Sequence, residues 1–167
     1  MKRDMSSHQC GVAAESYAAS LLARSAYDVL VQYGANQPDY DLVAVKQMQS
    51  KRLLCISVKG SQDGGWMLAV RFVKPGVDYH TAIDKWLAVQ PEELIYMFVQ
   101  FVNVPLNQAP RVYIARPPEI ATHLKSQCNG RGHGSLQENF RRDRPGSKYD
   151  HKIPDDWLFS CERIDSI

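Results

Sequence analysis

The sequence predicts a mixed α/β domain, a β-sheet with helices over its faces, and three observations predict it. Helix-like and strand-like segments follow one another in the order α-β-β-β-β-α-β-β-α, the pattern of a layered α/β arrangement. The chain has 167 residues, an ordinary length for one domain and short for two. Its composition, 44% hydrophobic and 23% charged, is globular. A chain of this length buries roughly 70% of its unfolded surface and needs no disulfide staple.

The first helix is expected from about Gly11 to Ser25, with Val12, Ala18, Leu21 and Leu22 on its apolar face. Ser6 and Gln9 have the spacing of a capping box before it. Tyr27 to Gly34 reads as a strand ended by Gly34, followed by a polar turn. Two β-branched strands come next, one opened by Asp41 (DLVAV) and one from Arg52 to Gly60 (RLLCISVKG). Asp63-Gly64 is a hairpin signal, so WMLAVRFV is expected to return as a partner strand. Thr81 to Val89 reads as a helix stopping before Pro91. LIYMFVQFV reads as a long buried strand and RVYIA as its partner. Pro117-Pro118 opens a further helix that ends near Asn129-Gly130. A flexible basic segment follows over about 126–152, and WLF at 157–159 is expected to dock back on the core.

The net charge is only +2, but it is unevenly spread. Lys125, Arg131, Arg141, Arg142, Arg144, Lys148 and Lys152 face only Glu138, Asp143 and Asp150 in the same stretch. That imbalance is what a phosphate-facing patch would produce, and equally what a basic solvated loop would show. Cys10, Cys55, Cys128 and Cys161 are far apart and form no CxxC pair. No apolar run approaches the ~20 residues that span a bilayer. MKRDMSSHQC leads into Ala-rich, Ser-dotted sequence rather than a continuous apolar segment. A reduced cytoplasmic protein with no membrane partner is the expectation.

Three charged residues break the local logic. Glu15 sits on or beside the apolar stripe of the first helix, where a carboxylate needs compensation for lost water. Asp41 opens an apolar strand, with Asp39 two residues earlier on the same face if the chain is extended. Lys59 ends a strand in which Ser57 shares its face, and Gly60 after it lets another backbone or a phosphate approach. Each has a plainer reading: Glu15 as a border residue, Asp41 as a turn residue, Lys59 as a solvated strand end.

Together, GVAAESYAASLL, PDYDLVAV and ISVKGS resemble the motifs of the PD-(D/E)XK nuclease superfamily, over roughly residues 11 to 61. The likeness is nearest to its Holliday-junction-resolvase-like and small uncharacterised nuclease branches. It implies a restriction-endonuclease-like αβββαβ core and a divalent-metal-dependent DNA endonuclease or resolvase. It further implies Mg²⁺ or Mn²⁺ held by Asp41, Glu15 and the backbone carbonyl of Val58, with Asp39 a second choice, and Lys59 beside the attacking water. The acidic position of the third motif is occupied by Ser57, which removes one carboxylate from the ligand set. Arg131, Arg141, Arg142, Arg144 and Lys148 would bind DNA, branched DNA included, and likeness to resolvases implies a homodimer. Two other readings stand beside this one: a catalytically impaired nucleic-acid-binding member of the same fold, and a protein-interaction module of a bacterial defence system. The Cys and His spacings match no zinc pattern, and Trp66 and Trp86 are expected to pack in the core rather than stack on bases.

Overall fold

The computed structural model describes residues 5–31, 40–46, 52–144 and 147–167. Its centre is a five-stranded mixed sheet in the order β1-β2-β3-β5-β6. The strands are β1 (Asp28–Val31), β2 (Leu42–Lys46), β3 (Arg52–Ser61), β5 (Leu94–Gln100) and β6 (Arg111–Ala115). β3 and β5 run parallel and every other neighbouring pair is antiparallel. Parallel neighbours need a crossover, and α2 (Tyr79–Leu87) supplies it.

Helix α1 (Ser7–Arg24) starts at Ser6, and the expected capping box forms: Gln9 N donates to Ser6 Oγ at 3.2 Å and Ser6 N to Gln9 Oε1 at 2.9 Å. Its buried stripe is Cys10, Ala14, Ala18 and Leu22, so Val12 falls off the stripe and is exposed. Strict four-residue spacing of small side chains brings the helix close to the sheet. There it packs on Leu42, Ala44, Ile56, Val58 and Met97. The C-terminal helix α4 (Cys161–Ser166) closes the same face with Ile164 and Ile167. α2 and α3 (Pro117–Ser126) cover the other face, where Ile83, Trp86, Ile120 and Leu124 pack on Tyr96 and Phe98. Trp66 and Trp86 are both core residues.

Two expectations are corrected. The turn at Asp63-Gly64 forms, with Gly64 at φ +94°, but β4 (Gly65–Met67) does not return along β3. β2 and β5 already occupy both edges of β3, so β4 pairs with β7 (Ser135–Gln137), and Val70–Phe72 is a 3-10 turn. The basic segment is not a free loop either. After β7 it forms an antiparallel ribbon of β8 (Asn139–Arg144) and β9 (Ser147–Lys152). Most of its pairs are polar: Arg141 lies opposite Asp150, Lys148 meets Asp143 at 3.4 Å, and Arg142 donates to Tyr149 Oη at 2.9 Å. No alternation of apolar residues marks such a ribbon, because cross-strand polar pairs rather than a core hold it.

The WLF segment docks as expected: Trp157 is buried and Phe159 N donates to Val112 O at 2.8 Å. Among the described residues no helix is long and apolar enough to cross a membrane.

Candidate active site

β2 begins at Leu42, opposite Ile56, so β3 runs beyond it without a β2 neighbour. Asp41 fills the gap with both its backbone and its side chain. Its amide donates to Ile56 O at 2.8 Å. Its carboxylate Oδ2 accepts the Val58 amide at 2.6 Å, as a strand carbonyl would, and the Ser57 hydroxyl at a longer 3.3 Å. Residues two apart on a strand turn their backbone groups to the same neighbour, and one residue's N–H and C=O point the same way. The Val58 carbonyl is therefore turned to the Asp41 edge. Lys59 Nζ lies 4.0 Å from the same oxygen, the outer limit of an ion pair, with both side chains part exposed.

Asp41, Ser57 and Lys59 thus lie on one face at one end of two adjacent strands. Glu15 approaches from α1, on the opposite face. Burial, then the negative charge of Asp41, raises its carboxyl above the usual value, while Lys59 and His8 pull the other way. Asp39 lies outside the described residues, as does the side chain of Arg144.

The glycine after Lys59 accommodates a backbone. A Cβ on Gly60 would lie 2.7 Å from Cys10 O and 2.9 Å from Ala14 Cβ, so only glycine lets α1 settle over the strand end. Cys10 sits at this contact, and burial, then Asp63, pushes its thiol up, away from the reactive thiolate.

Asp41, Ser57, Val58 and Lys59 open onto a cleft of about 1030 Å³ between the sheet end, the first turn of α1, β4 and the C-terminal end of α2. Tyr40, Trp66 and Tyr96 form apolar wall, and Arg71 brings a second cation that the sequence reading missed. Arg71 comes from the 3-10 turn after β4, lies over the Phe72 ring at 4.9 Å, and makes no ion pair among the described residues. An isolated Arg between strand-like apolar residues carries no spacing signal, and only the fold turns it into the cleft. Arg131, Arg141, Arg142 and Lys148 do not line this cleft. Arg131 is exposed in the turn after α3, and the other three project from the β8–β9 ribbon.

A second charged node stands apart from the cleft. Glu138, buried between β7 and β8, takes Arg111 in a bidentate pair (2.5 and 2.9 Å) and the Tyr113 hydroxyl at 2.7 Å. Burial works to raise the Glu138 carboxyl, but the hydrogen bonds from Arg111 and Tyr113 outweigh it and hold it below the usual range. This node fastens β6 to the β7–β8 junction.

Among the described residues no three His, Cys, Asp or Glu side chains gather as a ready metal cage. The cleft is lined instead by two carboxylates, Asp41 and Asp63, with the Val58 backbone and the cations Lys59 and Arg71, and Glu15 is not among its lining residues. No protein-family model matches the chain, and comparison with curated proteins and with solved structures finds no similar one.

Proposed function

We propose that the chain is a divalent-metal-dependent DNA endonuclease of the PD-(D/E)XK kind, hydrolysing phosphodiester bonds in the cleft at the end of β2 and β3. One observation carries the reading. Where β2 begins, the Asp41 carboxylate, the Val58 backbone edge and the Lys59 ammonium converge on one open cleft. The succession α1, β1, β2, β3, α2, β5 supports a restriction-endonuclease-like αβββαβ core.

Asp41, Glu15 and the Val58 carbonyl would hold Mg²⁺ or Mn²⁺, hard cations content with one or two carboxylates when water and phosphate oxygens complete the shell. Such an ion lowers the pKa of a bound water and offsets the charge that develops on the phosphate. The chain's own residues do the rest. The Val58 amide fixes the Asp41 carboxylate in orientation, and Lys59 adds a positive charge where transition-state oxygens gather. Two copies acting on symmetric branched DNA belong to the same proposal.

Ser57 favours a second reading, a domain of the same fold that binds nucleic acid and cuts it poorly. Its hydroxyl donates to Asp41 Oδ2 where the superfamily motif has an acid, leaving the site one negative charge short.

Calorimetric titration with Mg²⁺ and Mn²⁺, paired with cleavage of linear, nicked, branched and single-stranded DNA, tests both. Asp41→Asn should keep the fold, because its amide oxygen still accepts the Val58 N–H, while metal affinity and cleavage fall together. Lys59→Ala should retain metal binding and lose cleavage. DNA binding without cleavage by the unaltered chain selects the second reading. Cleavage that survives Lys59→Ala, with metal affinity indifferent to Asp41→Asn, would remove these residues from any metal site.

A further inference from the structure

We propose that Met67 and Arg71 form a two-point grip on the cleft wall that selects nucleic acid carrying an unstacked base. Arg71 would hold a backbone phosphate and Met67 would pack on the freed base. The inference rests on the nuclease reading and deepens it by naming the substrate's local structure.

β4 is pinned from behind. Trp66, 4% exposed, packs its ring 5.1 Å from Phe98 and donates its indole N–H to Lys59 O at 2.8 Å. Side chains alternate along a strand, so burying Trp66 turns Met67 outward, and Met67 is 82% exposed and lines the cleft. β4 is also fixed laterally, Met67 lying opposite Ser135 of β7. Val89, itself 53% exposed, lines the same cleft. Single exposed apolar residues are ordinary on a protein surface. An apolar side chain held on a paired strand over a cleft with charged residues at its base is a more particular arrangement.

A paired, stacked duplex offers such a side chain only phosphates and base edges. Once a base leaves the stack its aromatic face is open, and a thioether makes favourable contact with aromatic rings. Apolar wedges at base steps are an established use of such residues. Arg71 supplies the complementary contact. Its guanidinium is exposed, makes no ion pair among the described residues, and presents a planar fork suited to phosphate oxygens. The turn that carries it is tied down by Ala69 N donating to Gly134 O at 2.9 Å and Phe72 N to Ala69 O at 2.9 Å. The grip and Lys59 are joined through the Trp66–Lys59 hydrogen bond, so a base held at Met67 fixes the strand relative to the Asp41 end of the cleft.

The test uses the full chain with metal withheld, so that nothing is cut. Three 2-aminopurine-labelled DNA probes of one sequence are compared: a continuous duplex, a duplex with one unpaired base, and a three-way branch. Anisotropy reads affinity and 2-aminopurine emission reads unstacking. The unaltered chain should prefer the unpaired and branched probes by about three- to tenfold, the scale of one sulfur–aromatic contact. Met67→Ala should erase that preference without changing duplex affinity, and Met67→Leu, which keeps the apolar bulk but has no sulfur, should restore only part of it. Arg71→Gln should weaken all three probes alike and lower the salt slope by about one. Met67 is exposed, so thermal unfolding of its variants should match the parent. Equal affinity of the parent for all three probes, or a preference that survives Met67→Ala, overturns the grip and leaves the nuclease reading standing. Failure to bind any probe, and to bind or cut it once Mg²⁺ is added, overturns both.

Discussion

Gly60→Ala tests whether the approach of α1 to β3 builds the site. The added Cβ would stand 2.7 Å from Cys10 O, roughly 0.7 Å short of the 3.4 Å where ordinary contact begins. It would also stand 2.9 Å from Ala14 Cβ. Neither atom can rotate away, since one is helix backbone and the other is fixed to it, so the helix must move. Overpacking of this kind costs about 1–3 kcal/mol. A stiffer unfolded chain offsets about 0.4–1 kcal/mol of that. A net loss of about 1–2 kcal/mol lowers Tm by about 2–8 °C in a chain of this size. Thermal unfolding followed by circular dichroism measures it, with urea midpoints as a check. Because α1 carries Glu15, metal affinity should fall with the same substitution. Adding Ala14→Gly should recover part of the combined loss, as expected of two residues that share one contact. A Tm unchanged or raised by Gly60→Ala, or strictly additive effects in the double variant, would refute the close approach.

The other expectations follow from single contacts. On the nuclease reading, Ser57→Glu adds a carboxylate on the face of Lys59, so Mg²⁺ or Mn²⁺ should bind more tightly by calorimetry and cleavage should appear or increase. Unchanged affinity would mean that position 57 does not face the ion. Glu138→Gln keeps the shape but removes the charge that Arg111 and Tyr113 share, and should cost about 1–3 kcal/mol in urea unfolding; Arg111 is part exposed, which keeps the loss below that of a fully buried pair. The Glu138 carboxyl is held below its ordinary 4.5, so its contribution is complete above that pH and fades as pH falls through the lowered folded value. The variant should therefore flatten the acid side of the stability profile, and an identical profile would dismiss the node. Neutralising Arg141, Arg142 and Arg144 together should weaken DNA binding alike across sequences and flatten its salt dependence. An unchanged salt slope would assign the ribbon no phosphate contact.

Elements with one apolar face were legible in the sequence, and those held by polar pairs were not. LIYMFVQ could only be an interior strand, and all seven of its residues are buried. The helix written over Thr81 to Val89 begins two residues earlier because Asp78 caps it, its carboxylate accepting Thr81 N at 3.0 Å. The partner of β4 was out of reach locally, since β3 turns out to be saturated on both edges and β7 lies about seventy residues downstream. The β8–β9 ribbon has no hydrophobic period at all. In the cleft, Asp41 and Lys59 were readable because each is a charge at the end of an apolar strand, a conflict that asks for a reason. Arg71 and Met67 presented no such conflict, and tertiary placement alone brings them to the cleft wall.

Asp41 has two roles that pull in different directions, and this explains why a serine can stand beside it. Its Oδ2 substitutes for the strand carbonyl that β2 would have offered Val58, and it is the oxygen nearest Lys59. A second carboxylate at position 57 would share that face and repel it, unless a cation bound to both. Ser57 instead gives a neutral donor to the same oxygen, which lets the strand end fold as described without any cation. On the proposed nuclease reading, serine at this position would exchange metal affinity for a site that holds its shape alone. On that reading the site would draw its metal chiefly together with the phosphate that completes the shell, so metal and DNA should bind with positive coupling, each tightening the other by the same factor.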